Sequence, residues 1–247
     1  MYEHLASMFG GPPNSYHYNL YSEWAKHQWG MIITGNVEVS PDHLTLGRDM
    51  VIPKHITEEN LVPFKKLSAA IHGLYYSGGN SNSNSNSKNQ TLAIMQLNHA
   101  GRQSTNFIGG RGFKAPLAPS AVRVGIGGIG GGGQRHELGF LSSAIHSLLF
   151  QTPKPMSHED INKMIQAFVR GAKVAQLSGF DGIQLHVAHG CEFFYSCLFQ
   201  FIPDTFDLMG RKLKRSFESI SFNQGSLVSS TKIKLNIKRR SNLFIFA

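Results

Sequence analysis

Residues 157–189 read SHEDINKMIQAFVRGAKVAQLSGFDGIQLHVAH, and they carry the clearest fold signal in the chain. Ser157 can cap a helix, because acidic residues fill the first turn and apolar residues then recur every three or four positions. Gly179 ends this helix, and residues 180–187 form a short apolar run that is typical of a buried strand. A helix that leads directly into a buried strand predicts an α/β fold, with a parallel sheet covered by helices.

Two similar helix–strand units precede this one. Residues 20–28 have apolar side chains at helical spacing and lead into residues 31–35, which we predict to be a strand. Thr57 can cap a second helix that ends near Gly73, and residues 91–97 are then predicted to form the next strand. The repeated order of helix and strand supports the α/β prediction.

The rest of the chain shows little regular pattern. Residues 77–90 are dominated by Asn, Ser and Gly, so we expect a flexible insertion there. Residues 98–156 lack a clear period and follow a strand directly, which predicts a long loop that caps the sheet. Residues 191–247 form a divergent basic tail, of which residues 211–247 hold nine Lys or Arg and one acidic residue.

Composition and charge exclude several classes of protein. The chain has 247 residues and a formal net charge of +9, of which residues 211–247 contribute +8 and residues 1–210 only +1. No nucleic-acid-binding motif accompanies the basic tail, so nucleic-acid binding stays a minor alternative. No apolar run reaches the roughly 18 residues of a membrane span, and no secretory signal pattern is present. Two cysteines, Cys191 and Cys197, are too few for a disulfide framework, so we expect a cytoplasmic protein.

Polar residues at the ends of two predicted strands are candidates for chemistry. His186 and His189 can donate two hydrogen bonds to one substrate oxygen, although a zinc site or a structural histidine pair remains an alternative. Gln96 offers an amide donor and acceptor that can pair with the edge of a heterocycle, or it has a structural role. Residues 125–130 match the dinucleotide pattern G-x-G-x-x-G, but no strand precedes them and no helix follows, so we interpret them as part of a flexible loop.

Three motifs occur in a fixed order: QLNHAGRQ at residues 96–103, APSA at residues 118–121 and GFDGIQLHVAHG at residues 179–190. In these motifs and their order, the chain resembles the Old Yellow Enzyme family of FMN-dependent NAD(P)H:flavin oxidoreductases. Residues 29–35, WGMIITG, resemble that family's second strand, and residues 1–3 resemble the end of its first.

The resemblance implies a TIM (β/α)8 barrel, of which residues 1–190 would form roughly the first half, with FMN lying across the carboxyl ends of the strands. Gln96 would bind the pyrimidine edge of the flavin, and His186 with His189 would hold an electron-withdrawing oxygen of a small-molecule substrate. The reaction would pass a hydride from NAD(P)H through FMN to an activated alkene or a related acceptor. The residues implied to contact the flavin are Met1, Tyr2, Gly35, Gln96 and His186, and no metal is implied.

Two departures from the family pattern lead to further expectations. Cys191 directly follows His189 and Gly190. At this position the family usually has a tyrosine that donates a proton, and a thiol is a weaker donor. A full barrel has eight strands, and we predict only three here, together with the end of a first. We therefore expect that this chain does not close a barrel and holds FMN weakly. The alternative is that it is a non-catalytic fragment that retains no flavin.

Overall fold

The computed structural model describes residues 3–74, 91–124, 140–186 and 244–246. The helices are α1 (Ser15–Ala25), α2 (Glu58–Ile71), α3 (Phe140–Leu149) and α4 (His158–Leu177), with a 3-10 turn at Gly101–Gln103. The strands are β1 (Met31–Glu38), β2 (Met50–Val51), β3 (Leu92–Asn98), β4 (Leu117–Ala118), β5 (Lys154–Pro155), β6 (Gly182–Leu185) and β7 (Phe244–Phe246).

Five strands form one sheet in the order β2-β1-β3-β6-β7, and each neighbouring pair is parallel. The helices α2 and α4 connect β1 with β3 and β3 with β6, as expected for parallel neighbours, which need a long crossover connection. The α/β prediction and its three strands are therefore confirmed. A separate pair, β4 with β5, is also parallel, and neither this pair nor β2 nor β7 was predicted.

The predicted ends of two helices are confirmed by their capping contacts. The Ser157 hydroxyl accepts a hydrogen bond from the Asp160 backbone N–H at 3.2 Å, and the Asp160 carboxylate accepts one from the Ser157 backbone N–H at 3.0 Å. Thr57 caps α2 in the same way with its hydroxyl. Gly73 and Gly179 follow the two helices at φ values of +78° and +81°, where glycine avoids the strain of a Cβ atom.

Helix α1 begins earlier than predicted, because its cap uses an unusual residue. The Asn14 side chain accepts a hydrogen bond from the Tyr16 backbone N–H at 3.1 Å, and the Nδ1 atom of His17 accepts one from the Asn14 backbone N–H at 3.2 Å. Burial lowers the pKa of His17 to about 4, which keeps the ring neutral and able to accept. A capping box normally has Glu or Gln in this place, so the sequence pattern hid it.

The predicted capping loop, residues 98–156, contains one helix that the sequence pattern did not indicate. Helix α3 has the sequence FLSSAIHSLL, in which no clear polar stripe marks a helical period. Asn106 caps its carboxyl end, since its backbone N–H donates to the Leu149 carbonyl at 2.9 Å and its side chain donates to the Leu148 carbonyl at 2.7 Å. This cap comes from a residue far back in the chain, and a local pattern does not reveal it.

The main core lies between the sheet and the helices α1, α2 and α4. Its largest fully buried members from the helices include Tyr21, Phe64 and Phe168, and from the sheet Met95, Leu97 and Ile183. Helix α4 approaches β3 closely at Gly171, where an added Cβ atom would lie 3.0 Å from a methyl carbon of Leu97. This packing fixes which face of each strand is turned toward the helices.

Several predictions fall outside the described residues. These are the insertion at residues 77–90, the glycine-rich loop at residues 125–130, residues 187–190 and nearly all of the basic tail. Within the described segments, no helix has the length and apolar character needed to cross a membrane.

Candidate functional site

The two faces of the sheet differ in chemistry toward the carboxyl ends of the strands. One face carries core residues such as Val37, Leu97 and Ile183, which pack against the helices. Successive side chains of a strand point to opposite faces, so the residues that alternate with these core residues lie on the other face. We refer to five of these as the polar face: Asn36, Glu38, Gln96, Asn98 and Gln184.

Strand pairing arranges the polar face in two rows. In the first row, Gln96 is the register partner of both Asn36 and Gln184, and its Nε2 atom donates to Gln184 Oε1 at 2.6 Å. In the second row, Glu38 pairs with Asn98, whose Nδ2 atom donates to Glu38 Oε1 at 2.6 Å. These contacts join neighbouring strands through side chains as well as through the backbone.

Five buried atoms of the polar face have no hydrogen-bond partner in the described part of the chain. They are both polar atoms of the Asn36 amide, Gln96 Oε1, Glu38 Oε2 and Asn98 Oδ1. Buried polar atoms nearly always have partners, and leaving one without a partner costs about 1–3 kcal/mol. Five such atoms on four residues in two adjacent rows of one sheet face indicate a place where a polar ligand completes the hydrogen bonding.

Glu38 is the ionisable member of the polar face. Its side chain is fully buried and accepts hydrogen bonds from Asn98 and from the Thr45 hydroxyl at 3.0 Å. Burial raises the pKa of Glu38 to about 8, with a further contribution from the Asp49 carboxylate, while its hydrogen bonds oppose the rise. The carboxyl group is therefore mainly protonated at neutral pH, and such shifts are frequent at functional sites.

A bulge in β1 sets the position of the first row. The pairing of β1 with β3 shifts register between Ile33 and Asn36, which leaves Thr34 and Gly35 in the bulge. The Thr34 hydroxyl accepts a hydrogen bond from the Gln96 backbone N–H at 3.0 Å and so replaces a regular ladder contact. As a result, Asn36 rather than Gly35 lies beside Gln96 on the polar face.

Residues from the amino-terminal part of the chain hold the bulge in place through hydrogen bonds. The Gly35 backbone N–H donates to the Tyr21 hydroxyl oxygen at 2.8 Å and to the Glu3 carboxylate at 3.1 Å, and the Tyr21 hydroxyl itself donates to Glu3. Burial raises the pKa of Glu3 and, more strongly, that of Tyr21. These three residues form a bulge clamp, a name used below for Glu3, Tyr21 and Gly35.

The structure describes three of the six candidate site residues. Gln96 lies on the polar face of β3, and His186 directly follows β6, with its backbone N–H donating to the Leu97 carbonyl at 2.9 Å. Gly35 lies on β1 in the bulge. The other candidates, Met1, Tyr2 and His189, lie outside the described residues, and their roles stay predictions. Among the residues that are described, no three His, Cys, Asp or Glu side chains are grouped so that they could hold a metal ion.

Four residues of the polar face were not predicted from the sequence: Asn36, Glu38, Asn98 and Gln184. A signal was present, since polar and apolar residues alternate in NVEV at residues 36–39, QLN at residues 96–98 and QLH at residues 184–186. Alternation of this kind near the end of a buried strand indicates a polar inner face. Because the strands were read as uniformly buried runs, the alternation was not used.

An open groove of about 830 Å³ lies on another part of the molecule. Side chains of α4, including Lys163 and Arg170, line one wall, and residues from the loops around His43 and Phe107 line the other. No residue of the polar face contributes to this groove, so it is separate from the site described above.

An open parallel sheet with helices on one face and polar side chains on the other has the layout of part of a β/α barrel. The family model described as the NADH:flavin oxidoreductase / NADH oxidase family matches residues 5–198. The chain belongs to this family, which confirms the resemblance seen in the motifs. FMN, with NAD(P)H as reductant, is accordingly the cofactor of the family, as the sequence predicted.

Two curated relatives from fungi illustrate the similarity. The chain is 34% identical over 180 residues to the NADH-dependent flavin oxidoreductase iliE of Neonectria sp. (strain DH2), covering 72% of this chain and 20% of that protein. It is 33% identical over 174 residues to the NADH-dependent flavin oxidoreductase iccE of Talaromyces variabilis, covering 70% of this chain and 36% of that protein. The chain thus spans well under half the length of these relatives.

Solved structures share the fold. Morphinone reductase superposes with a TM-score of 0.54 at 17% identity, covering 87% of this chain and 53% of that one. The old yellow enzyme homologue from Zymomonas mobilis superposes with a TM-score of 0.52 at 19% identity, covering 77% of this chain and 43% of that one. The predicted partial TIM barrel is therefore confirmed.

The polar face fits the ring of a flavin. The pyrimidine edge of FMN alternates carbonyl oxygens with an N–H group, and an amide side chain can match such an edge with one donor and one acceptor. Gln96 and Asn36 are neighbouring amides on one sheet face, and both have side-chain atoms without a partner among the described residues. The residues present thus supply the kind of hydrogen-bonding groups that the cofactor requires.

Proposed function

We propose that this chain acts as an FMN-dependent oxidoreductase of the Old Yellow Enzyme type, with the polar face as its flavin site. The observation that carries this proposal is the buried Gln96 Oε1 atom, which lacks a partner among the described residues while lying beside a second unpartnered amide. Family membership makes FMN the ligand of first choice for these groups. Met1, Tyr2 and Gly35 are proposed to border the ring.

The chemistry that bound FMN supplies is the transfer of a hydride from NAD(P)H to an activated alkene or a related acceptor. In this proposal Gln96 binds and orients the pyrimidine edge of the cofactor. His186 and His189 donate hydrogen bonds to the electron-withdrawing oxygen of a small-molecule substrate, which draws charge away from the reacting carbon. Cys191 stands where a tyrosine usually delivers the proton, and its thiol is a weak donor.

The proposed location is the cytoplasm, and the argument for it is the small number of cysteines. Immunoblotting of cell fractions from the source organism checks this part of the proposal. Recovery in a membrane or secreted fraction would contradict it.

The test of the function is a titration of FMN with residues 1–247, followed by the quenching of flavin fluorescence. Gln96→Ala should weaken FMN binding by about tenfold. The buried donor and acceptor of the flavin ring then lose their partner, which costs about 1–3 kcal/mol of binding free energy. Gln166→Ala is the matched control, since Gln166 is exposed on α4 and far from the polar face in the fold. Equal affinity of the Gln96→Ala variant and the unchanged chain would contradict the proposal, and absence of binding in all three would favour the non-catalytic fragment.

A further inference from the structure

Asn36 has the most unusual environment of any residue on the polar face. Its side chain is 5% exposed, and within the described segments neither its Nδ2 nor its Oδ1 atom has a hydrogen-bond partner. Each of the other four residues makes at least one side-chain hydrogen bond. Folding buries this amide, and no described residue satisfies either of its polar atoms, which indicates that a ligand does so.

The position of Asn36 results from the backbone around it. The bulge at Thr34 and Gly35 turns Asn36 onto the polar face and makes it the direct neighbour of Gln96. The Thr34 hydroxyl and the bulge clamp hold this arrangement through hydrogen bonds to the Gln96 and Gly35 backbone N–H groups. Bulges beside functional sites commonly re-aim a side chain in this manner.

We propose that Asn36 is a second amide ligand of the flavin ring, acting beside Gln96 and donating its Nδ2 hydrogen to a ring carbonyl oxygen. The proposal rests on the proposed function. Side chains that are register partners on adjacent strands lie about 5 Å apart at their Cβ atoms, so the two amides can reach one planar ligand edge. The Nδ2 group is the donor in this contact because buried N–H groups are left without an acceptor more rarely than carbonyl oxygens are left without a donor.

A purely structural role and a ligand role predict opposite behaviour on substitution. If Asn36 served the fold, its loss would lower stability. As its side chain makes no hydrogen bond to any described residue, an apolar residue of similar size removes an unsatisfied buried amide, which is neutral or stabilising for the ligand-free chain. The same substitution removes a donor from the ligand and weakens binding.

The experiment compares Asn36→Leu, Asn36→Asp and Gln96→Ala with unchanged residues 1–247. Each protein is titrated with FMN and with riboflavin, which has the same ring without the phosphate, and its urea unfolding midpoint is measured without flavin. We expect Asn36→Leu to weaken the binding of both flavins about tenfold, as does the loss of one buried hydrogen bond, and to leave the midpoint unchanged or higher. Asn36→Asp, which has no donor when ionised, should bind both flavins at least as weakly as Asn36→Leu.

Other outcomes separate the two proposals. Unchanged affinity of Asn36→Leu, together with weakened binding of Gln96→Ala, would overturn the role of Asn36 and leave the flavin site in place. A loss with FMN but not with riboflavin would also overturn it, because the contact would then involve the phosphate. A lower urea midpoint in both Asn36 variants would show a structural role instead. If the unchanged chain binds neither flavin, the role of Asn36 and the proposed function fail together.

Discussion

Replacing Glu38 by Gln tests the electrostatics of the polar face without disturbing its shape. The glutamine keeps the Oε1 acceptor for Asn98 and for the Thr45 hydroxyl and carries no charge at any pH. The Glu38 carboxyl has a pKa of about 8 in the folded chain against 4.5 as the ordinary value. Between these two values the folded chain binds more protons than the unfolded chain, so Glu38 reduces stability progressively as the pH rises.

The size of the effect follows from the same two pKa values. One unit of pKa difference corresponds to about 1.4 kcal/mol, so the raised pKa of Glu38 reduces stability by about 1 kcal/mol at pH 5 and about 4 kcal/mol at pH 8. Glu38→Gln removes this penalty at both pH values. The free energy of unfolding of the variant, relative to the unchanged chain, should therefore rise by about 3 kcal/mol between pH 5 and pH 8.

The assay is urea unfolding at pH 5 and pH 8, followed by circular dichroism and tryptophan fluorescence. Glu59→Gln serves as the control, because Glu59 is exposed in the first turn of α2 and its replacement should change stability far less. A stability difference between Glu38→Gln and the unchanged chain that stays constant from pH 5 to pH 8 would refute the argument. It would mean that Glu38 is solvated or paired in a way that leaves it ionised.

Three further predictions concern other parts of the chain. Gly110→Ala should lower the free energy of unfolding by more than about 2 kcal/mol, and Gly112→Ala by about 1 kcal/mol. Both glycines have positive φ, but an added Cβ atom meets a backbone carbonyl at Gly110 and open space at Gly112, so equal losses in urea unfolding would contradict this. Because burial lowers the pKa of His17 to about 4, stability should fall as the pH drops from 6.5 toward 4, and His17→Gln should remove that loss in urea midpoints measured at pH 4.5 and pH 7. In the flavin-loaded chain, alanine at His186 or at His189 should weaken the binding of a phenolic ligand by roughly 1–3 kcal/mol in a spectral titration, and unchanged binding in both variants would remove their proposed role.

The local sequence was sufficient to predict those helices and strands that are marked by nearby residues. The caps at Ser157 and Thr57 and the apolar runs of β1, β3 and β6 were all recognisable, because capping and burial leave marks within a few residues. Gln96 and His186 were found as polar residues at strand ends, and the fold places Gln96 on the polar face. The motif order then identified the family.

The parts that were missed depend on contacts between distant segments. The bulge in β1 is held by Tyr21 and Glu3, and nothing in the sequence around Gly35 shows that these residues reach it. The pKa of Glu38 depends on Asp49 and on complete burial, which only the folded chain reveals. Helix α3 has a carboxyl cap from Asn106 and no polar stripe, so its pattern resembled that of a loop.

The bulge in β1 also has a consequence for how this chain can vary. In a strand, loss of a single residue exchanges the two faces for every side chain beyond it. Because the bulge already holds one extra residue, deletion of Thr34 or Gly35 would leave Asn36 opposite Gln96 in a regular ladder, whereas deletion of Val37 would turn Glu38 toward the apolar core. Among natural or engineered variants of this segment, single-residue deletions should therefore be tolerated better in the bulge than in the residues that follow it.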